Sequence, residues 1–200
     1  MKKNLLIAVW MTIATTILLG IIYPLVVTLL AQVLFHEKAN GQLIRKNGDL
    51  IGSHLIGQPF VSDKYFHSRP SAAGNGYDAG NSSGSNLGPT NQKLIDRIKS
   101  DVATAQTENP NTPVPIDLVT TSGSGLDPDI TPAAALFQVP RIARVRGLSE
   151  DQVHALVQSH VLQRQFAILG EPRVNVLQLN LALDEKTVSP PGFSAVGGNH

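Results

Sequence analysis

With 16 basic and 15 acidic side chains scattered through 200 residues, the chain has a formal net charge of +1, a balance that gives nucleic-acid binding little support. It has no cysteine, so disulfides and thiolate metal sites are excluded, while any compartment remains open. The charges are unevenly placed, however, and none falls between Asn4 and Phe35.

That uncharged run exceeds the roughly 20 residues a helix needs to cross a hydrocarbon core about 30 Å thick. A cleaved signal peptide would share the leading Lys2 and Lys3, but its apolar region is typically only about 7 to 15 residues, followed by a small-x-small cleavage site. The span is therefore read as retained, with its N-terminus cytoplasmic because the lysines and the free amino group lie nearest the membrane. Within it Ala8, Thr12, Thr16, Gly20, Pro24, Thr28 and Gln32 recur at every fourth position. Small and weakly polar residues at this spacing allow close helix packing. On a straight helix such a row drifts by about 40° per step, so only Ala8, Thr12, Thr16 and Gly20 are expected to face one partner. Pro24 removes a backbone donor and crowds the preceding turn, which predicts a kink between Gly20 and Pro24.

Gly41 to Gly57 reads as a β-hairpin turning at Asn47-Gly48, since that pair supplies the positive φ angles of a type I′ turn. Ser71 to Asn91 is rich in Gly, Ser and Asn. Its composition suits a flexible linker, whereas Tyr77, Asp78, Leu87 and Pro89 suit an ordered loop. Thr90 or Asn91 caps an amphipathic helix carrying Leu94, Ile95, Ile98 and Val102 on one face and ending before Pro110. Ile116 to Thr120 is a short strand candidate, and Ser122 to Pro128 a tight loop. Thr131 and Pro132 open a helix to Gln138, and a second helical piece runs to Arg146 with Gly147 stopping it. Ser149 and Gln152 form a capping box for a helix with Val153, Leu156, Val157, His160 and Val161 along one side. Arg173 to Asp184 alternates, with Leu177, Leu179, Leu181 and Leu183 on one face, which predicts a half-buried strand. The tail beyond Lys186 is expected to be disordered. The fold class is thus α+β: a transmembrane helix in residues 1–36, then one mixed soluble domain in residues 37–186 with a hairpin, several helices and a C-terminal strand, then the tail at 187–200.

Catalytic signals are thin. Gly80-Asn81-Ser82-Ser83-Gly84 spells the nucleophile motif of an anchored hydrolase, but no apolar strand precedes it. No Ser-x-x-Lys or P-loop spelling occurs. Asp127-Pro-Asp129-Ile-Thr131 could offer alternating oxygens to calcium but lacks the glycine and glutamate of an EF-hand, so turn and cap duty is favoured. His54, His67, His154 and His160 lack paired ligand spacing, and His160 reads as a satisfied core or interface histidine. Arg141, Arg144 and Arg146 read as a solvated basic face rather than an anion site. No catalytic residue and no metal ligand is expected.

Several strings together resemble the C-subunit family of the bacterial Kdp potassium-transporting ATPase, over nearly the whole chain to about Asp184. They are Gly57-Gln58-Pro59-Phe60, Tyr65 to Gly74, Ser83 to Asn91, Ser122 to Pro128, Gln138 to Arg141 and Gly170 to Leu177. Within them Tyr65, Phe66, Arg69, Pro70, Ser85, Asn86, Gly88, Gly125, Asp127, Arg141 and Asn175 are the loop residues that carry the likeness. The resemblance implies an ordered glycine-rich loop and an exported domain on a bacterial inner-membrane anchor. It also implies partners: a channel-like A subunit, an ATP-hydrolysing B subunit and a small F subunit, besides membrane lipid. The role so implied is that of a non-catalytic chaperone raising the pump subunit's ATP affinity. Association with ATP is implied by the resemblance alone. The rival classes are an anchored periplasmic hydrolase using Ser82 and a ligand-sensing module using the glycine-rich loop.

Overall fold

The computed structural model describes residues 2–188, and the chain divides into two compact units, Met1–Ser53 and His54–His200. The first begins with a continuous helix over Lys2–Leu34, apolar and long enough to cross a membrane. It comprises α1 (Lys2–Thr15), a π-helical stretch (Thr16–Ile22) and α2 (Tyr23–Leu34). The expected disturbance ahead of Pro24 takes the form of this π stretch, in which the Tyr23 amide reaches back five residues to the Leu18 carbonyl. Proline lacks a donor and crowds the carbonyl four residues before it, and a wider turn relieves both.

Beyond a short α3 (His36–Ala39), β1 (Leu43–Lys46) and β2 (Asp49–Ser53) form the hairpin as expected, with φ of 54° at Asn47 and 92° at Gly48. The hairpin returns to where it began. The Ser53 hydroxyl donates to the Gly41 carbonyl at 2.6 Å, while the Asn40 and Gln32 side-chain amides pair at 3.1 and 3.3 Å. Gln32 lies in the last turn of α2, so the chain leaves this unit beside the end of its long helix.

The second unit contains α4 (Gln92–Glu108), α5 (Pro132–Phe137), α6 (Val139–Arg146), α7 (Glu150–Ser159) and α8 (Val176–Val188). It also has a three-stranded antiparallel sheet of β3 (Asp129–Ile130), β4 (Val161–Leu162) and β5 (Arg173–Asn175), with β5 in the middle. The caps behave as their chemistry requires. Asn91 accepts from the Lys93 amide, Thr131 from Ala134, and Ser149 and Gln152 form a reciprocal box. Gly147 ends α6 in the left-handed region at φ 66°. The core gathers Phe66, Ile130, Ile142, Val153, Leu156, Val157, Val174, Val176, Leu179 and Leu183. Burying each large apolar side chain contributes about 1.5–3 kcal/mol.

Two expected strands are corrected. Ile116–Leu118 is a 3-10 turn, because the buried Asp117 carboxylate accepts the Thr131 amide at 2.7 Å and the Thr120 hydroxyl closes onto the Ile116 carbonyl. The C-terminal strand exists but covers only Arg173–Asn175, and the remainder of the leucine-rich run is α8. There Val176, Leu179, Asn180 and Leu183 are buried in a helical i, i+3, i+4, i+7 pattern, with Leu177 buried beside them, a pattern hidden by the polar identity of residue 180. Asn175 starts the helix by accepting the Gln178 amide at 3.2 Å. Thr187 and Val188 still belong to α8, and the tail from 189 lies outside the described residues.

Asn180 is 1% exposed, and its amide takes both main-chain groups of Phe66, accepting from N–H at 2.8 Å and donating to C=O at 3.0 Å. Asn180→Leu strands both groups, and a destabilisation of about 2–4 kcal/mol is expected from denaturant titration of the full chain in detergent. Asn175→Ala removes a cap, with an expected loss of about 1 kcal/mol or more in the same titration.

Candidate functional site

The segment Tyr65 to Pro70 has no strand partner, so its backbone polarity must be met in other ways. Asn180 serves Phe66. Gln138, 1% exposed, serves His67, accepting from its N–H at 2.8 Å and donating to its C=O at 3.1 Å. Arg141, 3% exposed, closes the same knot. Its guanidinium donates to the Glu108 carboxylate at 2.8 Å, to the Tyr65 carbonyl at 2.9 Å, to Gln138 at 2.7 Å and to the Asp63 carbonyl. Arg146 donates to Asp184 at 2.8 Å and stacks over the Tyr65 ring, whose hydroxyl also bonds Asp184. The expected solvated basic face is therefore corrected: Arg141 and Arg146 turn inward as backbone and carboxylate partners, and only Arg144 is exposed.

A second knot joins the remaining loops. Arg69 donates to Asp127 and to the carbonyl and hydroxyl of Thr120 at 3.2–3.3 Å, and the Tyr77 hydroxyl closes onto the Arg69 carbonyl. The Ser71 hydroxyl donates to the Gly125 carbonyl at 2.6 Å and accepts from the Tyr77 amide at 2.8 Å. Gly125 has φ 67°, and a Cβ there would lie 2.5 Å from the Ser83 carbonyl oxygen and 2.7 Å from the Ala73 nitrogen. Only glycine admits this approach. Asp127 also accepts the Asp129 amide, and Asp129 pairs with Arg173 at 2.9 Å, so these carboxylates perform turn and bridging duty.

Between the two knots lies a cleft of about 440 Å³, lined by residues that include Phe60, His67, Arg69, Pro70, Tyr77 and Glu108. Burial, reinforced by the Arg141 charge, holds the His67 imidazole below its usual range, and its Nε2–H meets the Ser62 carbonyl at 3.2 Å. Burial likewise raises the Tyr77 phenol. The cleft's charged groups are engaged by the protein itself, Arg69 with Asp127, Glu108 with Arg141 and Asp101 with Arg97. Its walls therefore offer shape and hydrogen-bonding edges more than an activated nucleophile. Ser82 lies on an exposed irregular loop and donates to the Ser124 carbonyl at 3.0 Å, a setting unlike the strand–turn–helix of a hydrolase nucleophile.

Of the loop residues singled out in the sequence, Tyr65, Phe66 and Arg141 meet in the first knot, and Arg69, Gly125 and Asp127 in the second, with Pro70 on the cleft wall. Asn175 bridges Asp129 and the His54 carbonyl. Ser85, Asn86 and Gly88 lie outside both knots on the irregular stretch before α4, Asn86 with φ 51° and Gly88 bonded to the Asn91 amide. His160, read as a satisfied core or interface histidine, is the half-buried C-cap of α7 rather than part of the core, its ring satisfied at the Leu156 carbonyl. Sequence reasoning missed Gln138, Asn180 and Glu108. The readable signal was an amide set into an apolar run, in Leu136-Phe137-Gln138-Val139 and Leu179-Asn180-Leu181.

In the first unit, Ala8, Thr12, Thr16 and Gly20 are all exposed on the helix surface. Thr12 bonds back to the Ala8 carbonyl at 2.9 Å, so its hydroxyl is already satisfied in an apolar setting. Four residues overshoot a full α turn by about 40° but fall short of a full turn in the wider π stretch, so the step from Thr16 to Gly20 reverses the drift of the preceding steps.

Comparison with known proteins matches residues 5–185 to the family model described as KdpC: K+-transporting ATPase, c chain. A potassium-transporting ATPase KdpC subunit from Koribacter versatilis is 64% identical over 184 residues, covering 92% of this chain and 95% of the relative. A KdpC subunit from Rhodopseudomonas palustris strain BisB18 is 56% identical over 92% of this chain and 98% of its own length. One from Caulobacter vibrioides is 57% identical, with 86% and 87% covered. With near end-to-end similarity of this order, the chain belongs to the KdpC family.

Proposed function

We propose that the chain is a non-catalytic accessory subunit of an ATP-driven potassium uptake complex. The observation that carries this reading is the 64% identity, over nearly the full length of both chains, to a protein named as a KdpC subunit of a potassium-transporting ATPase. In this reading Lys2–Leu34 is a single span of a bacterial inner membrane with its N-terminus cytoplasmic, and the second unit is periplasmic, where it caps a channel-like subunit. The row from Ala8 to Gly20 docks on a partner helix of the complex, whose other members are an ATP-hydrolysing subunit and a small third one. Gly20 supports this, since a Cβ there meets only Thr16 Cγ2 at 3.8 Å within its own helix. A larger residue is thus tolerated by the helix itself, and any penalty falls on the partner.

The chain stabilises assembly and raises the pump subunit's affinity for ATP. A periplasmic domain cannot touch a nucleotide bound in the cytoplasm, so the effect passes through the span or the partners as a coupling free energy. Such couplings are typically about 1–3 kcal/mol, or about 5–150-fold in affinity.

Thr16→Leu with Gly20→Leu is expected to reduce co-purification of the partner subunits by about tenfold, equivalent to about 1.4 kcal/mol. Thr28→Leu, beyond the proline, leaves it unchanged. In the same preparations, ATPase assays with and without this chain are expected to show a higher KM for ATP without it. Undiminished assembly and transport in the double variant removes the docking claim, and an unchanged KM removes the chaperone role.

A further inference from the structure

The β4–β5 connection is the second unit's most concentrated apolar projection. Phe166 is 80% exposed, Ile168 76%, Leu169 53% and Leu162, at its base, 44%. The tip is a built turn. Phe166 and Ala167 occupy the left-handed region at φ 53° and 65°, a conformation that non-glycine residues hold only when the surroundings impose it. What imposes it here is a closed ladder in which Gln165 and Leu169 exchange both main-chain hydrogen bonds at 2.9 Å. Below it, Arg164 and Glu171 pair across the neck at 2.6 Å.

We propose that this tip, Gln165 to Leu169, is a wedge that enters the interfacial layer of the bilayer carrying the chain's own span. Three observations favour lipid over a protein groove. The main-chain N–H groups of Gln165, Ala167, Ile168 and Leu169 are bonded within the turn, which lowers the cost of drawing the tip out of water into the interfacial layer. The apolar side chains sit on a narrow turn above a charged neck, an aromatic and two aliphatics over an ion pair, matching the step from acyl chains to headgroups. The second unit also follows the span in the chain after only a short connection, beginning at His54 where the long helix ends at Leu34, so it is covalently tethered to the bilayer that the span crosses.

The inference rests on Lys2–Leu34 crossing a membrane and is independent of which partner subunits assemble. Trp10, the chain's one tryptophan, is first replaced by phenylalanine, and reporters are then placed singly as Phe166→Trp, Ile168→Trp and, as a control, Val61→Trp, at a residue 88% exposed elsewhere in the unit. Full-length chain in lipid nanodiscs, alone and in the assembled complex, is titrated with lipids spin-labelled near the top of the acyl chain. Both tip reporters are expected to emit blue-shifted and to lose more than half their emission, while Val61→Trp stays red-shifted and unquenched. Tip reporters that stay water-like overturn the proposal. So does a blue shift that appears only in the complex and resists lipid quenching, which assigns the tip to a protein groove, and so does equal quenching at all three positions. Failure of subunit docking would leave the readout from the chain alone unchanged, so the two readings fail separately.

Discussion

The second unit is organised around one polar problem, the main chain of Phe66 and His67. An extended segment led into a core must have its amides and carbonyls met, and here two side-chain amides stand in for a neighbouring strand. Asn180 from α8 and Gln138 at the end of α5 each grip a residue by both main-chain groups, seating the Phe66 ring among apolar side chains. The consequences spread outward. With Gln138 fixed, Arg141 completes its hydrogen bonds on the Tyr65 and Asp63 carbonyls, and Glu108 is drawn in from α4. The cleft between the two knots exists because this segment is held at both ends, by buried amides on one side and by Arg69, Thr120 and Asp127 on the other.

The first unit obeys a different constraint. A helix apolar and long enough to cross a membrane must meet its backbone polarity from within, so a proline's missing donor is absorbed by altering the turn. The π stretch over Thr16–Ile22 does this, and it changes which way the following side chains face. Such stretches recur at functional positions. Here it brings Gly20 back toward the side of the helix occupied by the earlier members of the row, where a regular helix would have carried it further round.

Much of this was legible locally. Asn47-Gly48, Ser149 with Gln152, Thr131 with Pro132, and Gly147 each specify a turn or a cap by chemistry confined to a few residues, and each appears where the sequence places it. What was not legible depended on partners distant in sequence. Asn180 looks like the polar face of a strand until Phe66, 114 positions away, is known to need its amide. Asp117 looks like part of a strand until the Thr131 amide claims its carboxylate. Arg141 and Arg146 look like a solvated face because nothing near them in sequence announces the carbonyls and the Asp184 carboxylate they serve. Asn175 with Gln178 carried the spelling of a helix start, but the alternating leucines that follow carried a competing one. The family strings were readable as strings, whereas their division into two knots around a cleft required the fold.

The position of α8 in the chain also governs when this structure can come into being. Leu179, Asn180 and Leu183 are almost wholly enclosed, and the segment they receive was synthesised more than a hundred residues earlier. A nascent chain emerging N-terminus first therefore holds Phe66 and its bare amides without their partners until α8 has left the ribosome. The span and the hairpin can form during synthesis, from contacts local to the first 53 residues. The second unit must wait for α8, and truncation anywhere before that helix leaves a core that cannot close.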